Sequence, residues 1–279
     1  MTETKKRGKR SPTEPADDLS TEATVQTSGR RRIQSADKAT EVLLALVEAG
    51  QAAPLKDLAR AVDMPNSLAH RYLASLMASG LAVQNEITGL YDLGPTALRI
   101  GASALGRLDP LRLASEAMPQ LVANTGLPAL LNVLGDRGPA IIRWERSYLP
   151  FVTTLAVGSV FQLTNSATGR TLLAFTPSRI RDHLIELAAS KNMEQPPAKL
   201  LERLEKIRKR GYDETESVLI PGLAAISAPI LDLQNEAVAC LTLIGASADV
   251  SRVKAKAIQC LLETSMSVSH ACGSSLKFL

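Results

Sequence analysis

Apolar residues recur at helical spacing between residues 35 and 50, where Ala39, Val42, Leu43, Leu46 and Val47 share a face. Ser35 is placed to cap this helix, Asp37 suits its positive end, and Gly50 can close it. A shorter helix follows from Pro54, with Leu55, Leu58, Ala59 and Val62 on one side, before Asp63-Met64-Pro65 breaks the chain. A third helix is predicted over 66–79, burying Ala69, Leu73 and Leu76 and ending at Gly80. Two strand-sized segments, 81–84 and 90–93, come next, joined by a turn in which Gly89 can supply positive φ. Three helices and a two-stranded wing make a winged helix-turn-helix.

Beyond it, Pro95 opens a helix reaching about Gly106, with Leu98, Ala102 and Leu105 on one face. Asp109-Pro110 starts another, with Leu113, Ala117, Leu121 and Val122 apolar. The break between Gly106 and Pro110 is the expected domain boundary. Strands are expected over 128–134 and 140–146, flanking the hairpin signal Gly135-Asp136-Arg137-Gly138, with a third over 151–157. Helices follow over 167–175, 178–189 (capped by Ser178) and 199–210, the last ended by Gly211 and basic in its final turn. Strands over 223–231 and 237–244 and a long helix from Val250 complete an α+β domain with an antiparallel sheet. The expected organisation is a basic, disordered tail over 1–31, a winged helix-turn-helix DNA-binding domain over 32–94, a linker helix over 95–109 and an α+β domain over 110–279.

Composition narrows the classes. A chain of 279 residues suits about two domains and needs neither disulfide nor structural metal for stability. Its three cysteines, Cys240, Cys260 and Cys272, show no C-x-x-C spacing, and the head lacks the apolar stretch of a secretory signal; a cytoplasmic protein is expected. Aromatics at 3% argue against stacking platforms for single-stranded nucleic acid. The net charge of +4 is unevenly spread. Residues 1–34 hold eight basic against five acidic residues, whereas 35–109 hold six against eight. The cluster Arg30-Arg31-Arg32 is either a solvated tail or an arm that contacts phosphates or the minor groove, through Arg31 and Arg32.

The fragments Ile33-Gln34-Ser35-Ala36-Asp37-Lys38-Ala39, Leu58-Ala59, Met64-Pro65-Asn66-Ser67-Leu68-Ala69-His70-Arg71-Tyr72-Leu73, Leu76, Gly80-Leu81 and Tyr91-Asp92-Leu93-Gly94, in this order and spacing, resemble the IclR family of bacterial transcription regulators. The resemblance covers nearly everything after residue 32. It implies a ligand-responsive, DNA-binding regulator, a repressor by analogy, with a GAF-like effector-binding domain. It also implies self-association as a dimer or tetramer on a roughly palindromic double-stranded operator. A metabolite-binding or oligomerisation module without DNA binding is the alternative.

The third helix is the expected recognition element. With Ala69, Leu73 and Leu76 inward, Asn66, Ser67, His70 and Arg71 lie at its exposed N-terminal end. Asn can pair with adenine, and Arg can fork onto guanine or grip a phosphate; Arg71 can equally form a surface ion pair, and His70 can merely cover the helix flank. Leu68 departs from the family, where a hydroxyl residue is usual, and either meets a thymine methyl or is simply exposed.

In the second domain, Thr164-Asn165-Ser166-Ala167-Thr168-Gly169-Arg170 runs into a helix start, which favours an anion such as a carboxylate. The segment reads either as an ordinary Ser/Thr cap or, by its resemblance to the family's effector loop, as ligand contacts at Asn165, Ser166, Ala167, Thr168 and Gly169. The segment 211–230 resembles the family's pocket-lining strand, but Val218 stands where an acidic residue is usual, and Ala225 where a polar residue or Cys is frequent. On the neighbouring strand Thr242 keeps a hydroxyl, while Ile244 is apolar. A larger, more apolar effector follows as the expectation, an aromatic one included, with one carboxylate against the 167–169 loop. Trp144 either lines that pocket or supports it.

Catalytic motifs are missing. His70, His183 and His270 stand alone, with no metal spacing, P-loop, G-x-G-x-x-G or G-x-S-x-G. Neither an enzyme nor a cofactor or metal is expected, and no apolar run is long enough for a bilayer.

Overall fold

The computed structural model describes residues 33–148, 153–190, 199–216 and 221–278. The basic head with Arg31 and Arg32, the first two residues of the expected strand at 151–157, and Val218 lie outside them. The chain divides into two compact units between Ala102 and Ser103.

In the first unit, α1 (Gln34–Glu48), α2 (Leu55–Ala61) and α3 (Asn66–Ala78) precede the hairpin of β1 (Ala82–Gln84) and β2 (Tyr91–Leu93). Val42, Ala45 and Leu46 of α1 pack with Leu58, Leu73, Leu76, Ala82 and Tyr91 in one core. Ala69, Leu73 and Leu76 are the buried residues of α3, as its spacing predicts. Two details of α1 differ. Ile33, not Ser35, occupies the N-cap, without a side-chain cap, and Ser35 lies inside the helix. Val47 is exposed while Ala45 is buried, because the face that meets α3 is set by packing rather than by apolarity alone. The wing turn is held by Asn85, whose Oδ1 accepts the amides of Ile87 and Thr88, and Gly89 takes φ +70°. A side chain at Gly89 would be strained in that left-handed region.

Helix α4 (Pro95–Leu105) spans the division and buries none of its residues. Leu98, Ile100 and Leu105 are exposed.

The second unit is built on a five-stranded antiparallel sheet. Its elements in chain order are α5 (Pro110–Thr125), β3 (Ala129–Gly135), β4 (Gly138–Glu145), α6 (Ala167–Ala174), α7 (Ser178–Ser190) and α8 (Leu200–Arg210), then β5 (Asp213–Glu216), β6 (Leu223–Leu231), β7 (Ala237–Ala246) and α9 (Ser247–Ala271). The strand order is β4-β3-β7-β6-β5. Asp109 caps α5 by accepting the Arg112 amide, and Pro110 follows at its first turn.

Alternation along the strands splits the sheet into two faces. Ala129, Leu131, Leu241, Leu243, Ile226 and Ala228 join Met118, Leu121, Ala257 and Leu261 in the core under α5 and α9. The opposite face carries Leu130, Asn132, Thr242, Ile244, Ala225 and Ser227, and α6 packs there, with α8 behind it. The expected strand over 151–157 is not one across its described residues, 153–157; instead Val160 makes an isolated bridge to Ala140. Strand β5, an acidic segment with no apolar alternation to announce it, forms by pairing with β6.

Candidate DNA interface and effector cleft

Asn66, Ser67, His70 and Arg71 are exposed at the start of α3, and their side chains have no hydrogen-bond or ion-pair partner among the described residues. The buried stripe of Ala69, Leu73 and Leu76 fixes the helix against α1 and so turns these four outward. Leu68 is half-buried rather than fully exposed. The α3 surface therefore offers amide, hydroxyl, imidazole and guanidinium groups, the donors and acceptors that read base edges and phosphates. Arg60 on α2, by contrast, pairs with Asp57 at 3.4 Å.

The sheet face under α6 assembles from residues far apart in sequence. In register across the strands stand Trp144, Leu130, Thr242, Ser227 and Asp213; beside them run Ile141, Asn132 and Cys240 on one side, and Ile244, Ala225 and Thr215 on the other. Helix α6 brings Thr168 onto this lattice. Its hydroxyl lies 2.9 Å from that of Thr242 and 3.3 Å from that of Ser227, and Ser227 and Thr242 are 2.9 Å apart. Asn132 Nδ2 donates to Thr242 Oγ1 at 3.1 Å. All four are buried. Next to this polar group, Leu130, Ile141 and Ile244 pack with Trp144, Leu155, Phe161 and Ala225.

Thr168, Thr242, Ile244, Ala225 and Trp144, five residues named from sequence, thus fall on one sheet face. Ala225 also borders a small cavity of about 170 Å³ with Thr215, Glu216 and Lys254. Ser166 caps α6, accepting the Gly169 amide at 2.9 Å, and Asn165 is half-buried just before it. Ala167 is buried, and Gly169 lies so close to the preceding loop that an added Cβ would overlap the Leu163 carbonyl. The sequence pattern did not single out Asn132, Ser227 or Asp213. Asn132 has a readable signal, being one amide within Leu130-Leu131-Asn132-Val133-Leu134, but its partners are about a hundred residues away.

Arg170, at the end of the same loop, turns away from any solvent. Its Nε donates to Asp213 Oδ2 at 2.6 Å, and its Nη1 to the Thr164 carbonyl at 3.2 Å. Arg203 and Arg210 reach the other oxygen of Asp213 at 3.0 and 2.7 Å. Burial pulls the Arg170 pKa below its ordinary value, and the Asp213 carboxylate opposes that pull. Burial pushes the Cys240 thiol up to about 12, so it stays protonated at neutral pH, and no cluster of metal-ligating side chains occurs among the described residues. No described helix is long and apolar enough to cross a membrane.

A winged helix-turn-helix with a free recognition surface, followed by a sheet-and-helix unit with a mixed polar and apolar face, defines a DNA-binding regulator with a sensing domain. Comparison with known proteins narrows the class. Residues 35–86 match the IclR helix-turn-helix domain, and residues 102–270 match the bacterial transcriptional regulator IclR C-terminal domain. The crystal structure of Pseudomonas aeruginosa HmgR is similar at 35% identity and a TM-score of 0.77, over 88% of this chain and 100% of that one. The HTH-type transcriptional regulator BhcR of Paracoccus denitrificans is 29% identical over 81% of this chain and 82% of its own length. The transcriptional repressor IclR of Escherichia coli is 25% identical over 80% and 83%. The chain belongs to the IclR family and is a ligand-responsive, DNA-binding transcriptional regulator.

Proposed function

We propose that residues 32–94 grip a roughly palindromic operator through Asn66, Ser67, Leu68, His70 and Arg71, with Arg31 and Arg32 as an accessory arm. Residues 95–109 form the connector, and 110–279 sense the effector. The observation that carries the operator reading is the group of four exposed, unpartnered polar side chains at the start of α3. The protein acts as a cytoplasmic repressor, as the named function of a relative suggests, and has no catalytic role. It works as a dimer or tetramer. Helix α4, which buries none of its residues and exposes Leu98 and Leu105 on one side and Ile100 on the other, supports this assembly, and a two-fold protein matches a two-fold site.

The effector sits on the α6 side of the sheet. Its apolar or aromatic body meets Leu130, Ile141, Ile244 and Trp144, and one carboxylate lies towards the first-turn amides of α6. Effector binding alters operator affinity only in so far as the two conformations bind the effector differently. A gel-shift titration at fixed salt, with DNA upstream of the protein's own gene and of the adjacent gene, tests the operator reading. A thermal-shift screen of aromatic and small carboxylic acids tests the effector reading, since a ligand of the folded state raises its melting temperature. Absence of any shifted DNA, or stabilisation only by small, highly charged acids, overturns the corresponding part.

A further inference from the structure

Helix α8 carries a basic stripe beside its buried face. Leu200, Leu204 and Ile207 turn inward, while Lys199, Arg203, Lys206 and Arg210 recur at the spacing of one side of a helix. These four cations line a cavity of about 460 Å³, with Glu202 and Glu214 as the acids in its wall. The cavity shares no residue with the face proposed for the effector. Asp213 links it to α6, because the same carboxylate holds Arg170.

Two of the arginines are fixed in advance. Arg203 donates through Nη2 to Asp213 Oδ1 at 3.0 Å and to the Glu214 carbonyl at 2.8 Å. Arg210 donates through Nη2 to the same Oδ1 at 2.7 Å and through Nε to the Tyr212 carbonyl at 2.7 Å, and its guanidinium lies 4.4 Å from the Tyr212 ring centroid. In both arginines Nη1 has no acceptor among the described residues. Guanidinium groups held in place before a ligand arrives lose little freedom on binding it, and their N–H groups match the oxygens of a phosphate. The charge points the same way. Asp213 offers one negative charge to Arg170, Arg203 and Arg210. Glu214 is answered by Lys254 at 2.8 Å, Glu202 reaches Lys206 at 3.3 Å, and Lys199 has no ion-pair partner among the described residues. Within this group the cations outnumber the carboxylates, and the surplus lies at the cavity, which favours an anion of two charges over one.

We infer that this cavity is a second ligand site, for a phosphate-type oxyanion: free phosphate or the phosphate group of a small phosphorylated metabolite. The open Nη1 groups of Arg203 and Arg210 take the phosphate oxygens, and Lys199 and Lys206 balance the remaining charge. The volume leaves room for the body of a small metabolite beside its phosphate. The site stands independently of where the effector binds.

The test is calorimetric titration of the full chain, at neutral pH and constant ionic strength, with inorganic phosphate, glucose 6-phosphate and gluconate. Phosphate or its ester binds, and gluconate, a singly charged acid of similar size, binds at least about tenfold more weakly than the tighter of the two. Equal affinity for phosphate and glucose 6-phosphate assigns the site to the free ion; tighter binding of the ester assigns it to a phosphorylated metabolite. Lys206→Glu, at an exposed position, weakens binding about tenfold by reversing one charge of the wall, and Arg203→Gln does so by removing an open Nη1. The Lys206→Glu result decides even if Arg203→Gln does not fold. The inference is overturned if neither phosphate compound binds, if gluconate matches the tighter of them, or if the affinity is unchanged in Lys206→Glu.

Discussion

Helices α3 and α6 both begin with small polar residues and an early arginine, Asn66 to Arg71 in one and Ser166 to Arg170 in the other, and the fold uses them in opposite ways. Arg71 is exposed and has no partner among the described residues; Arg170 is 3% exposed and bonded to Asp213. Every residue of α6 is buried, whereas α3 buries only Ala69, Leu73 and Leu76. The contrast separates a surface kept open for a large polyanion from a helix whose polar groups are consumed in holding a sensing domain together. Thr168, in the hydroxyl ring, and Thr171, which donates to the Ser227 carbonyl at 3.3 Å, tie α6 to the face proposed for the effector.

The contrast can be broken at four points. Asp213→Ala leaves Arg170 charged and buried without its carboxylate, and a loss of about 3–5 kcal/mol is expected by urea unfolding. A loss no larger than that of a surface substitution would put the α6 arginine in the same category as Arg71. Gly169→Ala drives a methyl into the Leu163 carbonyl, with about 1–3 kcal/mol of destabilisation expected in the same assay. Arg71→Ala is the mirror case. It should weaken operator binding by about 1–3 kcal/mol in a salt-controlled gel shift, while unfolding stability stays within about 0.5 kcal/mol of wild type. Unchanged operator affinity would remove Arg71 from the interface. Ser166→Ala removes the α6 cap and should cost about 1 kcal/mol, read as a small fall in melting temperature.

The winged unit was legible because its signals are local. The spacing of Ala69, Leu73 and Leu76, the Asp63-Met64-Pro65 break and the Gly89 turn each act within a few residues, and the helices and hairpin stand where those signals put them. The cap of α1 was misread because Ser35 and Ile33 are both near a helix start, and the tertiary entry of the chain chose between them. In the second unit the strand pair 223–231 and 237–244 was equally legible from its apolar runs, the second strand running on to Ala246. Strand β5 was not: Asp213-Glu214-Thr215-Glu216 carries no strand pattern and is held by β6 and by the arginines that reach Asp213. Val160 likewise bridges to Ala140 with no alternating pattern around it.

By itself, the sequence determined where helices and strands form, which face of α3 turns inward, and the resemblance that led to the family. Periodicity, turn chemistry and capping act over distances a linear pattern contains. Only the tertiary structure decided the fate of the polar residues in the second unit. Whether Arg170 is a surface cation or a buried ion, and whether Thr168 meets solvent or Thr242, depends on partners 43 and 74 residues away. The energy of a polar group is set by what surrounds it once water is excluded, and strand register supplies those surroundings.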